Sequence, residues 1–380
     1  MNVVLIRSNP VRPYPRLEKM ANCLIKRGYG ITVLAWDRDE DYAPKEEVLH
    51  LQGGDARIVR IGIKGQFAGG IKKNLKGLMA FQRFIRQWLR QNRDAYDVIH
   101  AYDFDTGYTA MREARRLHKV LIYDIPDYYC DSHGYTGLVR SLIKRLEDSV
   151  INRAFATIIC TEERKKQIEG TRPRRLLVIH NTPDIQEQPD RWEPGDRLRI
   201  AYIGIFGRTR FLEEMTNLVA GRDDCELHIG GFGANMESWF ETMAARHENI
   251  TYYGRVPYQK TLEIESMCDV MFAVYSPEVP NHRFAAPNKF YEALALGKPL
   301  IMAKRTGMAS VVDEYDIGET IEYDQADLKR AIDRLIARRA EWPEMRRRER
   351  ELYASQYSWS EMERRIHGLY DEVNKSLRQG

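Results

Sequence analysis

Two doubly wound α/β halves in tandem are what this sequence predicts, and three features predict them. Short apolar runs alternate with longer amphipathic stretches along nearly the whole chain. A polar, proline-punctuated stretch at 181–196 interrupts that alternation, as a linker or domain boundary does. The length, 380 residues, exceeds one ordinary domain. Ligands of such sheets sit beyond the carboxyl ends of the strands, so two Rossmann-like halves facing across a cleft would place the active site between them.

Taken in order, 2–6 reads as a strand, 16–27 as a helix stopped by Gly28-Tyr-Gly30, and 31–36 and 57–61 as strands. A long helix at 71–92 precedes a strand at 97–100, and a helix at 106–118 precedes one at 120–123. The pattern 138–153 is helical, and 156–160 and 176–179 are strands. Beyond the linker, strands are expected at 198–203, 225–229, 250–253, 270–273, 299–302 and 319–321, with helices between them. The segment 327–378 is almost wholly helical and strongly charged. The expected domains are 1–182, 183–357 and a returning helix over 358–380.

Hydrophobic content of 43% and charged content of 30% fit a globular protein with sizeable cores. A net charge of +4 is small for this length and argues against nucleic-acid binding. The five cysteines (Cys23, Cys130, Cys160, Cys225, Cys268) form no C-x-x-C pair, which excludes the common zinc and disulfide frameworks and reads as free thiols. The chain enters a strand pattern at Val3 without the basic lead of a signal peptide, and no apolar run approaches the ~20 residues of a membrane span. The expected location is the cytoplasm, with peripheral attachment at the inner face of the membrane left open.

The segment with the most chemistry is Pro287-Asn-Lys-Phe-Tyr-Glu-Ala-Leu-Ala-Leu-Gly-Lys-Pro299: a loop entering a helix near Asn288, then a glycine stop and a strand. A helix start offers unpaired N–H groups and partial positive charge to a phosphate, and Lys289 adds a full charge. Glu292 lies about one turn in, where a carboxylate can accept both hydroxyls of a ribose. The same periodicity also fits an ordinary α/β helix with Phe290, Ala293 and Leu294 on its apolar face.

The segment resembles the donor-binding signature of family 4 glycosyltransferases of the GT-B fold, in its N-K-x-Y-E-A-x-A-x-G-K-P form. Further resemblances follow in the expected order: Ala201-Tyr-Ile-Gly204 with Arg210 beyond it, Ile229-Gly-Gly-Phe-Gly233, and Ile250 to Val256. In the first half, Asp97 to Asp103, including His100, Glu147 and Ile158 to Thr161 resemble family landmarks. Ser358-Trp359 resembles the segment that crosses back to the first domain.

The resemblance implies that Glu292 binds the donor ribose and that Lys289 and Arg210 meet its diphosphate, with Arg208 a second candidate for that charge. Gly204, Gly233, Val256, Asn288 and Phe290 would shape the pocket. His100 and Asp103 would belong to the acceptor side. It further implies retention of anomeric configuration, no metal, no cofactor beyond the nucleotide-sugar donor, and no dedicated protein nucleophile. The leaving diphosphate would be stabilised by cations and amides.

The departures bear on the sugar. Phe284 stands eight positions before Glu292, where the family carries a second glutamate for the donor sugar; Arg283 or His282 can take part instead. Pro126 stands where many relatives carry a histidine, leaving Asp127 and His133 as catalytic candidates. The early glycine pair is replaced by Asn9 to Arg16, a proline-stiffened loop whose Arg12 and Arg16 either shape an acceptor site or merely flank a helix started by Pro15.

Other signals compete. Asp103-Phe-Asp105 and the acidic run Asp37 to Asp41 contain D-x-D patterns that a different glycosyltransferase fold uses for a metal, yet such pairs are common in acidic loops. Residues 64–93 interleave Lys64, Lys72, Lys73, Lys76, Arg83, Arg86, Arg90 and Arg93 with apolar and aromatic residues. That pattern suits either a basic helix lying on an anionic membrane or a core-packed helix with solvated cations. The expected function is sugar transfer from a nucleotide diphosphate, UDP favoured over GDP, to a glycan or lipid-linked acceptor, as in bacterial polysaccharide synthesis. A sugar-nucleotide-binding protein without transfer activity and a GT-B epimerase are the alternatives.

Overall fold

The computed structural model describes residues 1–65, 70–185, 192–193 and 195–379, with the backbone alone described at 70–73. Lys72 and Lys73 of the basic stretch, and 186–191 and 194 of the proline-punctuated segment, therefore lie outside the described side chains or residues. The chain divides into two compact units, Met1–Asn181 with Met362–Gly380, and Thr182–Glu361.

The first unit holds β1 (Asn2–Arg7), β2 (Gly30–Asp37), β3 (Tyr42–Leu51), β4 (Gly54–Gly62), β5 (Val98–Tyr102), β6 (Val120–Ile125), β7 (Ala156–Ile159) and β8 (Leu176–Val178). They form one sheet in the order β3-β4-β2-β1-β5-β6-β7-β8, parallel throughout except for β3 against β4. Strand β3 is the one strand the apolar pattern missed. It is a largely exposed edge strand carrying Lys45, Glu46 and Glu47, and charge on an edge blunts unwanted strand pairing while erasing the apolar signal. The inner strands are buried on both faces, so they read as continuous apolar runs.

Helices cover both faces of this sheet. The Gly70–Gln91 helix turns Phe81, Phe84, Ile85, Trp88 and Leu89 into the core, with Phe81 stacked on Trp36 at 5.6 Å. The C-terminal Trp359–Gln379 helix belongs to this unit from Met362 onward. There Tyr370 is fully buried with its hydroxyl 2.9 Å from His100 Nδ1, and Asp371 pairs with Arg27 at 2.6 Å.

The second unit is a six-stranded parallel sheet of β9 (Leu198–Ile205), β10 (Cys225–Phe232), β11 (Ile250–Tyr252), β12 (Val270–Ala273), β13 (Leu300–Ala303) and β14 (Gly318–Ile321). Its order is β11-β10-β9-β12-β13-β14, so the direction of winding reverses between β9 and β12. Such a reversal splays the loops at the carboxyl ends and leaves a crevice there.

Candidate functional site

The crevice of the second unit is a pocket of about 540 Å³. Ile203, Gly204 and Ile205 close β9 on one wall, Tyr275 follows β12, and Met302 comes from β13. The Asn288–Leu296 helix begins at its rim after Pro287, and among the described residues no side chain caps that end. Its first backbone N–H groups and the positive end of its dipole are thus left to the pocket.

Two cations line the wall. Lys289 is buried, its Nζ donating to the Ile203 carbonyl and standing 4.7 Å from the Tyr202 ring centre. Burial disfavours its charge, but Glu265 and Glu292 more than offset this and hold its pKa above the ordinary value. Gly204 makes the approach possible, because a Cβ there would lie 2.8 Å from Lys289 Nζ. Gly231 is required beside it: its φ is +139°, and a Cβ would sit 1.7 Å from the Gly204 carbonyl oxygen. Arg210 donates Nη1 to Ile205 O at 2.8 Å and to Tyr202 Oη at 3.0 Å, with its guanidinium 5.1 Å from the Tyr275 ring centre. Among the described residues these partners are all neutral, so the Arg210 charge meets no carboxylate.

Glu292 also reaches the pocket and is 3% exposed. Burial raises its pKa, partly countered by Lys289 and by the Tyr258 hydroxyl that donates to it. One layer beneath, Glu265 is fully buried, and neither of its oxygens has a hydrogen bond among the described residues. Burial and the nearby Glu292 push the Glu265 pKa far up.

The pocket, then, sets an unneutralised guanidinium and a bare helix start beside a buried carboxylate. Two family models match the chain: Glycosyl transferase 4-like domain over residues 14–182 and Glycosyl transferases group 1 over residues 198–338. The chain belongs to the GT-B glycosyltransferases. No curated protein matches it in sequence. Sucrose-phosphate synthase of Thermosynechococcus elongatus is similar in fold, with a TM-score of 0.76 at 15% identity over 99% of this chain and 100% of that one. HepE of Anabaena, solved in complex with UDP, gives 0.68 at 13% identity over 98% and 100%. WaaG, a glycosyltransferase involved in lipopolysaccharide biosynthesis, gives 0.62 at 13% identity over 97% and 99%.

In this glycosyltransferase the residues singled out from sequence separate into groups. Arg210, Lys289, Glu292, Gly204, Val256 and Asn288 share the one pocket. Phe290 does not: it is fully buried in the core, edge-on to Tyr291 and Tyr357, because helical periodicity turns position 290 inward. Gly233 lies off the pocket wall, with φ +118° and its N–H bonded to Glu237 at 2.9 Å. Arg208 is exposed on the turn after β9 and does not line the pocket. His282 lines it and its Nδ1 donates to Ser276 O, 3.0 Å away, whereas Phe284 and Arg283 do not line it. Tyr258, Tyr275 and Glu265 were not singled out from sequence. Tyrosines and a mid-helix glutamate carry no motif, and only the fold brings them beside Glu292 and Arg210.

Three of the four acceptor-side residues are engaged in the framework of the first unit. Arg16 is buried and forked onto Asp124 at 2.7 Å, with a further bond to Ile179 O at 3.0 Å. Burial would raise the Asp124 carboxyl, yet Arg16 and His100 hold it below its ordinary range. His100 is fully buried, stacked on Tyr102 at 4.8 Å. Both residues are framework rather than accessible contacts, and Pro15 does start the helix, as the simpler sequence reading had it. Asp103 follows β5 with φ +61° and pairs with Arg7, and burial pushes its carboxyl up to about 7. Arg12 is half exposed and pairs with Asp37 at 3.1 Å, which engages one carboxylate of the acidic run. Of the catalytic candidates, Asp127 pairs with Arg164 at 2.8 Å, and exposed His133 packs its ring 4.1 Å from Tyr129. Both follow β6 at the carboxyl edge of the first sheet.

Proposed function

We propose that this glycosyltransferase transfers a sugar from a UDP-sugar to a glycan or lipid-linked acceptor, with retention and without a metal. The observation that carries this is the Arg210 guanidinium, unneutralised in a pocket it shares with Lys289, the bare start of the Asn288–Leu296 helix and Glu292. As the bond from the anomeric carbon to the diphosphate oxygen breaks, the electron pair stays on that oxygen. Arg210 and Lys289 would meet that growing charge. Glu292 would orient the nucleotide through its ribose. HepE, whose fold this chain shares, was solved with UDP and with UDP-glucose, and this favours UDP here. Calorimetry with UDP and GDP, followed by transfer assays over a panel of UDP-sugars, tests the reading; binding without turnover on every donor and acceptor would leave only the nucleotide-binding alternative. Activity should persist in EDTA, and loss restored by manganese would overturn the metal-free step.

We also propose contact with an anionic membrane, on a different element from the one the sequence suggested. The apolar side of the 64–93 stretch is largely taken by the core, leaving Leu75 and Met79 exposed. The Gly137–Ile151 helix instead exposes Leu138 (89%), Val139 and Leu142 at its start, with Arg145 beside them. The Gly70–Gln91, Asp103–Leu117 and Gly137–Ile151 helices hold twelve Lys and Arg against five Asp and Glu, a formal +7 in a chain of +4. Among the described residues no helix is long and apolar enough to cross a membrane. Co-sedimentation with phosphatidylglycerol vesicles should be salt-sensitive and lost in Leu138→Ser/Leu142→Ser; no sedimentation at low salt would remove the idea.

A further inference from the structure

Several cations in the first unit are neutralised where they stand, as Arg16 is by Asp124, Arg90 by Glu113, Arg140 by Asp131 and Arg164 by Asp127. A second recess, of about 470 Å³, departs from that pattern. It opens at the amino end of β6, lined by Val120 and Leu121. Five residue steps along β6 set its Val120 about 16 Å from the strand's carboxyl end, at ~3.3 Å per residue.

Arg115, Lys119, Arg153 and Arg174 line this recess together with His118, and no carboxylate does. None of the four cations is ion-paired among the described residues. Lys119 donates to the Tyr96 carbonyl at 2.6 Å and Arg153 to the Ser149 carbonyl at 3.1 Å, both neutral acceptors. Arg115, Arg153 and Arg174 are exposed. The ordinary account of such residues is that they complement helix carboxyl ends, and the Asp103–Leu117 and Gly137–Ile151 helices do end at this edge. Each helix end supplies only about half a negative charge, however, so two of them offset roughly one of the four positive charges. An excess near +3 remains around a concavity of ligand size. The inner wall is apolar, made by Met111, Ala114, Leu121 and Phe155.

We propose that this recess binds an organic phosphate, its anionic head held by Arg115, Arg153 and Arg174 and its apolar body laid against Leu121 and Phe155. A bare phosphate would use only the rim, so the apolar wall selects a phosphate ester with a hydrophobic or aromatic substituent. The phosphate can come from a soluble ester or from a lipid headgroup, and both present the same chemistry to the arginines.

Calorimetry on the full chain at low salt, with UDP present to occupy the second unit's pocket, compares inorganic phosphate with phenyl phosphate. Phenyl phosphate is expected to bind at least tenfold more tightly than inorganic phosphate. Arg153→Ala/Arg174→Ala should weaken it at least tenfold, while Arg112→Ala, an exposed arginine of the same face outside the recess, leaves it unchanged. Circular dichroism confirms that the variants fold. Absence of binding, equal affinity for the two phosphates, unchanged affinity in the double variant, or equal weakening by Arg112→Ala would each overturn the proposal. Vesicles containing phosphatidic acid distinguish the sources: capture that the double variant loses assigns the phosphate to a lipid, and no capture assigns it to a soluble ester. All substitutions lie in the first unit, so the outcome does not depend on whether UDP binds.

Discussion

Glu292→Gln keeps the shape of a side chain that is 3% exposed and removes its charge. A carboxylate holding two ribose hydroxyls makes two charge-assisted hydrogen bonds, each contributing about 1.5–3 kcal/mol, and the amide keeps one acceptor. Losing one such bond weakens UDP binding roughly 10- to 150-fold. The fold should not suffer, because the substitution relieves buried Glu265, whose charge Glu292 disfavours, and Glu265 still supports the Lys289 charge. Calorimetry with UDP and with 2′,3′-dideoxy-UDP, on wild type and variant, closes a thermodynamic cycle. Wild type should bind the dideoxy nucleotide weakly, and the substitution should then cost it less than about twofold. Equal weakening of both nucleotides, or undiminished UDP affinity in the variant, would refute the assignment of Glu292 to the ribose.

Three further outcomes follow from named contacts. Arg210→Gln should weaken UDP about 10- to 150-fold through one lost charged contact and leave uridine unaffected, so calorimetry with both ligands checks that Arg210 reads the diphosphate. Gly204→Ala places a methyl 2.8 Å from Lys289 Nζ, the far end of a flexible side chain; the melting temperature should barely move while UDP affinity falls about tenfold, near 1.4 kcal/mol. Glu147 is buried against Tyr123 Oη at 2.8 Å, and burial pushes its carboxyl up to about 8 from about 4.5 in an unfolded chain. The folded state therefore holds more protons between those values, and stability falls as pH rises through that window by up to about 1.4 kcal/mol per unit. In urea unfolding, Glu147→Gln should flatten the slope, gaining on wild type at pH 8.5 relative to pH 5.5; parallel profiles would show that Glu147 ionises freely in the fold.

The sequence shows a feature when one stretch of chain carries it whole. Parallel strands such as Val98–Tyr102 are buried on both faces and announce themselves as apolar runs, while the charged edge strand Tyr42–Leu51 does not. Within the donor segment, Asn288, Lys289 and Glu292 follow one helical turn, so their common destination was readable from spacing alone. Phe290 goes the other way for the same reason, since it stands about half a turn from both Asn288 and Glu292 on the helix. Arg16 and His100 carry polar chemistry in sequence, but whether a polar side chain greets a ligand or a buried partner depends on what strand β6 sets opposite it, and here that is Asp124.

The Ala286–Ile301 stretch and its ordered companions were enough to place this chain among the GT-B glycosyltransferases and to choose Glu292, Lys289 and Arg210. Tertiary structure alone decided which charges remain unneutralised. Arg210 stays unneutralised because its described partners are a carbonyl and phenol rings, and burial beside Glu292 pushes the Glu265 pKa up. A residue's charge is written in the chain, but its neutralisation is set by neighbours that are distant in sequence and adjacent only in the fold.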